Sequence, residues 1–273
     1  MPAVEERIGR VVGAFQYGRA QALQVKDLLD LEGALVNTDA LFVSVAFEGA
    51  AAGLAYSQLQ AGAVEIDVPN WPAHSAQVHI GIGWAIAELA LRPDAYLNQF
   101  SAVMQGRVMD GFGYYSGLFR RRRCIQVMDI PAGIPTDLLT AFDQGLGRAM
   151  WYISKGETEP LVTMIGPFPE ERKAGIWRGI GVASSYVGGL DAVGLERLVG
   201  TSGTYRAELL CGVLLCGAGR QSAKTDLTDV IRYLDTIPIG TDTLRSVCEV
   251  IAHSQDYLTA MTDVKALTSP HCP

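Results

Sequence analysis

The 273-residue sequence has no CxxC pair, no GxSxG, no aspartate-rich DDxxD or DxDD motif and no excess of basic charge. It also lacks any run of about 18 uninterrupted apolar residues. Each absence excludes a class of protein. The five cysteines, Cys124, Cys211, Cys216, Cys248 and Cys272, lie far from most histidines, so neither a zinc site nor a disulfide framework is indicated. Cys211 and Cys216 fall in an apolar helical stretch and read as reduced core residues. Gly181-Val182-Ala183-Ser184-Ser185 does not fit a nucleophile elbow, which leaves nucleophilic hydrolysis without support. Without the aspartate-rich motifs, a metal-diphosphate mechanism has none either. No metal site and no cofactor is expected.

The net charge of −7 and a pI near 5.1 supply no general attraction for nucleic acid or anionic lipid. The first residues lack the basic start and apolar run of a signal peptide, and no spanning helix is visible, so a cytoplasmic location is expected. With 49% hydrophobic and 19% charged residues, the chain is globular and can bury one sizeable core.

What is present is helical periodicity. In the stretch 141–152, Phe142, Leu146 and Met150, continued by Ile153, recur at helical spacing, while Asp143, Gly147 and Trp151 form a line on another face. Thr136 and Asp137 are suited to cap this helix and Gly156 to close it. Further helical stretches are expected over 6–29, 39–60, 76–91, 94–119, 157–165, 170–187, 205–220, 226–234 and 241–261. Pro69 and Pro72 break the chain between two of them. Pro169, Glu170 and Glu171 suit the first turn of the helix that follows.

Small residues recur at a long period. The steps at Gly18, Gly83, Gly147 and Gly212 are separated by 65, 64 and 65 residues, and Gly49, Gly113 and Gly181 form a second series spaced by 64 and 68. Two interleaved series predict an all-α helical-repeat array of about four two-helix units, α-solenoid or α/α-barrel-like, with antiparallel pairing inside each unit. Glycine inside a helix costs roughly 1 kcal/mol relative to alanine, so its recurrence implies close approach of helices or of a ligand. A single domain is expected over 1–263, with a flexible tail over 264–273.

Polar groups interrupt the apolar pattern. Asp143, Glu48 and Asp110 lie among glycine, alanine and aromatic residues, where an unpaired carboxylate is costly to bury. Such groups either pair internally, Asp143 with an arginine such as Arg148 or Arg178, or serve a site. In the second case burial raises the carboxyl pKa and makes a proton donor. His79 is either a core histidine donating to a backbone carbonyl or the acid–base partner of that carboxyl. Trp84, Trp151, Trp177, Tyr114, Tyr115 and Tyr186 either fill the core or line an apolar pocket that stabilises a developing cation. The run Arg120, Arg121, Arg122 and Arg123 is either a solvated helix end or a handle for an anionic substrate or acidic carrier. The GxG steps at Gly81/Gly83 and Gly111/Gly113 lie in helices with no preceding strand, so they make poor dinucleotide fingerprints.

The combination of Val78-His79-Ile80-Gly81-Ile82-Gly83-Trp84-Ala85, Asp110-Gly111-Phe112-Gly113-Tyr114 and Phe142-Asp143-Gln144-Gly145-Leu146-Gly147-Arg148 with Trp151 resembles a bacterial family of unknown function. That family accompanies enediyne antibiotic and other natural-product gene clusters. Phe47-Glu48-Gly49-Ala50 and Gly179-Ile180-Gly181-Val182-Ala183 with Tyr186-Val187-Gly188-Gly189 extend the resemblance over residues 11–235. Where it implies a histidine soon after the Asp-Gly-aromatic-Gly step, this chain has Tyr114 and Tyr115.

Two functions are expected from this. One is a cofactor-independent acid/base cyclase or isomerase of a hydrophobic polyene or isoprenoid-like substrate, with Asp143, Glu48 and Asp110 as candidate acids and His79 as base. The aromatic residues and Arg148 would line its site. The other is a non-catalytic helical-repeat module that holds a carrier protein or partner enzyme through the arginine run.

Overall fold

A computed structural model describes residues 2–24, 27–236 and 242–268. The described residues are all-α, with no strand. Seven helices of 14 or more residues form the frame: α1 (Pro2–Gln24), α3 (Val43–Gln60), α4 (Ser75–Glu88), α5 (Ala102–Phe119), α6 (Leu139–Ser154), α8 (Glu170–Val187) and α10 (Arg206–Ser222). Shorter helices α2 (Leu28–Val36), α7 (Thr158–Ile165) and α9 (Ala192–Ser202) lie in the connections. Helices α11 (Thr228–Thr236), α12 (Asp242–His253) and α13 (Tyr257–Ala266) follow the frame. Each long helix packs against the next in the order α1, α3, α4, α5, α6, α8, α10.

The glycines explain that order. A Cβ placed on Gly113 would lie 2.1 Å from the Phe142 carbonyl oxygen, and one on Gly145 would lie 2.1 Å from that of Asp110. Because Cβ leans toward the helix N-terminus, each meets the carbonyl three residues before the opposite glycine, so Gly113 and Gly145 face each other across α5 and α6. The same reciprocal contact recurs for Gly18 with Gly49, Gly83 with Gly111, Gly147 with Gly179 and Gly181 with Gly212, at 1.8–2.0 Å. Between α3 and α4, Gly81 faces Ala51. At 3.6 residues per turn, the two glycines of a G-x-G step point to opposite sides of the helix. One receives the preceding helix and the other the following one.

Neighbouring long helices run in the same direction, which corrects the antiparallel pairing expected from the sequence. Ser44 at the start of α3 is 3.0 Å from His74, just ahead of α4. His79 early in α4 meets Phe100 just ahead of α5, with ring centroids 5.4 Å apart, and Arg120 after α5 donates to the Ala87 carbonyl near the end of α4. Asp143 and Arg172 pair between the first halves of α6 and α8. Even the shortest connection, 89–101, is long enough to return along a helix at ~3.3 Å per residue. Every long helix inside the series meets both neighbours in the same way, so no contact groups them in twos.

The two ends of the array meet with opposite sense. Arg7 near the start of α1 donates to the Val187 carbonyl at the end of α8 (3.3 Å) and pairs with Asp229 of α11. Arg220 near the end of α10 donates to the Leu41 carbonyl ahead of α3 (3.1 Å). The array therefore curls round an interior space.

Local boundaries differ from the sequence reading where caps or turns intervene. The first stretch is divided: α1 ends at Gln24, and α2 begins at Leu28 behind an Asp27 cap and continues through Gly33. Thr136 to Leu138 form a 3-10 turn, so Leu138 rather than Thr136 or Asp137 precedes α6. Lys155 and Gly156, both with positive φ, close that helix. A single helix over 241–261 is replaced by α12 and α13, because the Asp256 side chain caps α13 on the Thr259 amide at 2.9 Å. Val264 is buried within α13, and residues 269–273 of the expected tail lie outside the described residues. Cys124, Cys211, Cys216 and Cys248 are free thiols, whereas Cys272 lies outside the described residues.

Candidate functional site

All seven long helices contribute to one cavity of about 440 Å³ inside the curl. Its wall is mostly apolar, from Val11 and Phe15 of α1, Ile80 and Trp84 of α4, Val182 of α8 and Leu215 of α10. The lining residues Val12, at 41% exposure, and Phe119, at 63%, mark its mouth. Phe15, Trp84 and Phe119 make a contiguous aromatic edge, with centroid separations of 4.7 and 5.6 Å.

A buried polar cluster interrupts this wall. Arg148 of α6 lies 3.3 Å from Asp110 of α5 and 3.7 Å from Glu48 of α3, and its guanidinium stacks over the Tyr114 ring at 4.4 Å. Gln144 donates to the second Asp110 oxygen at 2.8 Å and accepts from the Tyr257 hydroxyl at 2.7 Å. Asp110 is thus held by two groups, Arg148 and Gln144, and Gln144 is itself fixed by Tyr257. Glu48 has only the more distant Arg148.

Burial pushes the Glu48 carboxyl up to about 7, against the pull of Arg148 and with the Asp110 charge adding to the rise. A carboxyl near 7 exchanges its proton at neutral pH, whereas an ordinary one is already ionised. Tyr114, chiefly through burial, stands well above its usual range, and Tyr152 beside it is pushed up to about 12. Both phenols remain neutral.

A stability consequence follows for Glu48, whose folded form binds its proton more tightly than the unfolded chain. Its contribution is fully present below the ordinary carboxyl value of 4.5 and is lost as pH rises through about 7. Urea melts at pH 5 and pH 8 are expected to show wild type losing stability relative to Glu48→Gln as pH rises. A gap between the two proteins that stays constant over that interval would contradict the assignment.

The structure brings together Glu48, Asp110, Tyr114, Trp84, Tyr186 and Arg148 of the expected site. It places the others elsewhere. Asp143, the candidate on the best-defined helix, is not in the cavity wall; Arg172 holds it through Nε at 3.1 Å and Nη2 at 2.5 Å, and Arg172 also donates to the Met128 carbonyl. Burial raises the Asp143 carboxyl to about 6 against the lowering pull of Arg172, so it is ionised and paired at neutral pH. The pairing expected from the sequence is present, with Arg172 in place of Arg148 or Arg178.

His79 bonds the Ser75 carbonyl at 2.7 Å and lies against Phe100, outside the wall, where burial lowers its pKa. Trp151 and Trp177 are core residues, and Tyr115 packs behind Trp84 at 5.2 Å. In the arginine run, Arg120 bonds the Ala87 carbonyl and Arg123 pairs with Asp129 at 2.6 Å, while Arg121 and Arg122 are exposed. Sequence reading overlooked Arg107, Tyr152, Gln144 and Tyr257. Arg107 was within reach, because Arg107, Asp110 and Tyr114 share one face of α5 at i, i+3 and i+7.

Seven long helices, each running in the same direction as its neighbours in the series, surround an apolar cavity with a buried carboxylate–guanidinium cluster in its wall. The chain belongs to DUF1702, a family of proteins of unknown function, whose model matches residues 1–231. That stretch contains every long helix, and α12 and α13 lie beyond it. No curated protein and no solved structure matches the chain. No described helix is long and apolar enough to cross a membrane, and the described residues contain no cluster of three or more His, Cys, Asp or Glu placed to hold a metal ion.

Proposed function

We propose that the protein is a cytoplasmic enzyme of natural-product biosynthesis, an acid/base cyclase or isomerase that needs no redox cofactor and acts on a hydrophobic polyene or isoprenoid-like substrate. The observation that carries this reading is Glu48, a buried carboxyl in the wall of an apolar cavity with its pKa pushed up to about 7. In its protonated form Glu48 gives a proton to one carbon of a substrate double bond, leaving a cation at the neighbouring carbon. The faces of Trp84, Tyr114 and Phe15 stabilise that cation. Ring closure forms a carbon–carbon bond at the cation, or the double bond simply shifts. Loss of a proton from an adjacent carbon back to the Glu48 carboxylate restores the enzyme. Arg148 at 3.7 Å stabilises that carboxylate between the two transfers. Asp110, fixed by Arg148 and Gln144, stands beside the transfer site as an acceptor already engaged by the protein.

Incubation in D2O with squalene and with a linear conjugated polyene, without added metal or cofactor, tests this reading. Isomeric products carrying solvent deuterium are expected. Glu48→Gln keeps the shape but has no proton to give, so turnover is expected to fall by about 10²–10⁴ while the melting temperature at neutral pH holds. Products that form without deuterium, or at an undiminished rate in Glu48→Gln, would sink the assignment.

The non-catalytic alternative keeps one supporting observation, the exposed Arg121 and Arg122 close in sequence to Phe119 at the mouth. Under it, an acidic partner docks there and binding weakens with salt.

A further inference from the structure

Five arginines are buried among the described residues, and four of them are answered by the protein. Arg148 faces Asp110 and Glu48, Arg172 holds Asp143, Arg178 holds Glu208, and Arg220 donates to three backbone carbonyls. Arg107 is the exception. It is 7% exposed and lines the cavity, yet makes no hydrogen bond or ion pair with the described residues. His79 of α4, Cys211 of α10 and Tyr257 of α13 sense its charge, and Asp110 stands one turn away on α5 without bonding it. None of the first three is an anion at neutral pH, and a buried charge that nothing bonds is strongly disfavoured.

We propose that the ligand of this cavity carries a carboxylate, that Arg107 receives it, and that the apolar remainder lies along α5 toward the mouth. Arg107, Asp110, Tyr114 and Leu118 follow one another at intervals of three, four and four residues, so they form a single stripe on the cavity side of α5. From Arg107 to Phe119 at the mouth the helix rises about 18 Å, room for an extended chain with its head at the buried end. A guanidinium matches a carboxylate in bidentate geometry. A dianionic head is less suited, because Asp110 stands one turn from Arg107 and Glu48 shares the wall.

A carboxylate on Arg107 answers the one buried guanidinium of this wall that no protein carboxylate bonds. The proposal rests on the cavity being the ligand site under the proposed function, and it does not require Glu48 to be a proton donor.

Calorimetric titration of the full-length protein with palmitate, 1-hexadecanol and hexadecyl phosphate tests it. Wild type is expected to bind palmitate at least about tenfold more tightly than hexadecanol. Arg107→Met is expected to bring palmitate down about ten- to hundredfold, to the level of the alcohol, while hexadecanol is unaffected. Arg107→Lys retains part of the preference, and the exposed charge control Arg121→Met retains all of it. The wild-type comparison of acid with alcohol stands even if an Arg107 variant folds poorly. Equal affinity for acid and alcohol, palmitate binding undiminished in Arg107→Met, tighter binding of hexadecyl phosphate, or no binding of any of the three overturns the proposal. Glu48→Gln separates the two readings. If it turns over substrate normally while Arg107→Met has lost palmitate, the catalytic reading fails and the carboxylate site stands; the reverse pattern fails the carboxylate site alone.

Discussion

Gly111→Ala is expected to destabilise the fold by about 3 kcal/mol or more, a loss on the order of 10 °C in melting temperature for a chain of this size. The added Cβ would fall 1.9 Å from the Ile80 carbonyl oxygen and 2.7 Å from its carbon, and both belong to backbone held inside α4. No rotamer relieves that overlap, so α4 and α5 must separate along their whole contact. Gly200→Ala is the control of opposite sign. Gly200 is also helical, but nothing lies within 4 Å of its would-be Cβ, so alanine there gains up to about 1 kcal/mol of helix propensity. Thermal melts that move in the same direction for the two variants would remove the glycine contacts as the reason for the array.

Asp143→Asn is expected to lower stability by about 3–5 kcal/mol and to leave the cavity chemistry in place. Arg172 is 6% exposed at its side chain and Asp143 2%, so losing the carboxylate strands a guanidinium away from water. The double change Asp143→Leu with Arg172→Met removes both charges and is expected to recover most of the loss, since a buried pair replaced by apolar groups is often neutral. Chemical denaturation of wild type and the two variants, with palmitate titration beside it, checks the point. An Asp143→Asn protein with wild-type stability and lost turnover would return Asp143 to the catalytic role that its position outside the cavity wall argues against.

The all-helical class was legible because helical periodicity is local, and the glycine series were legible because each long helix carries its close contact at one fixed place. Direction was not legible. A glycine reports that a neighbour comes close, but says nothing of which way that neighbour runs, and only contacts such as Arg120 with the Ala87 carbonyl decide it. The site was legible in part for a similar reason. Glu48, Asp110 and Asp143 look alike in sequence, each a carboxylate beside glycine on an apolar helix. What separates them is the side of the helix that faces the curl, and which arginine reaches them from another helix. Tyr257, 113 residues from Gln144 in the chain, left no trace in the local pattern.

The seam that closes the curl joins the first helix to the last part of the family-matched segment. Arg7 meets Asp229, 222 residues later, and Glu5 meets Lys155 at 2.5 Å. During synthesis the long helices after α1 can stack one on another as they emerge, each on the one before it. The second edge of α1 meets its partners only when α8 and α11 have left the ribosome. A ligand present before that moment finds an open trough, and one present afterwards finds a chamber, so a bound molecule would act as a latch on the final folding step. In refolding, contact between α1 and α8 should then form after the packing of α1 on α3.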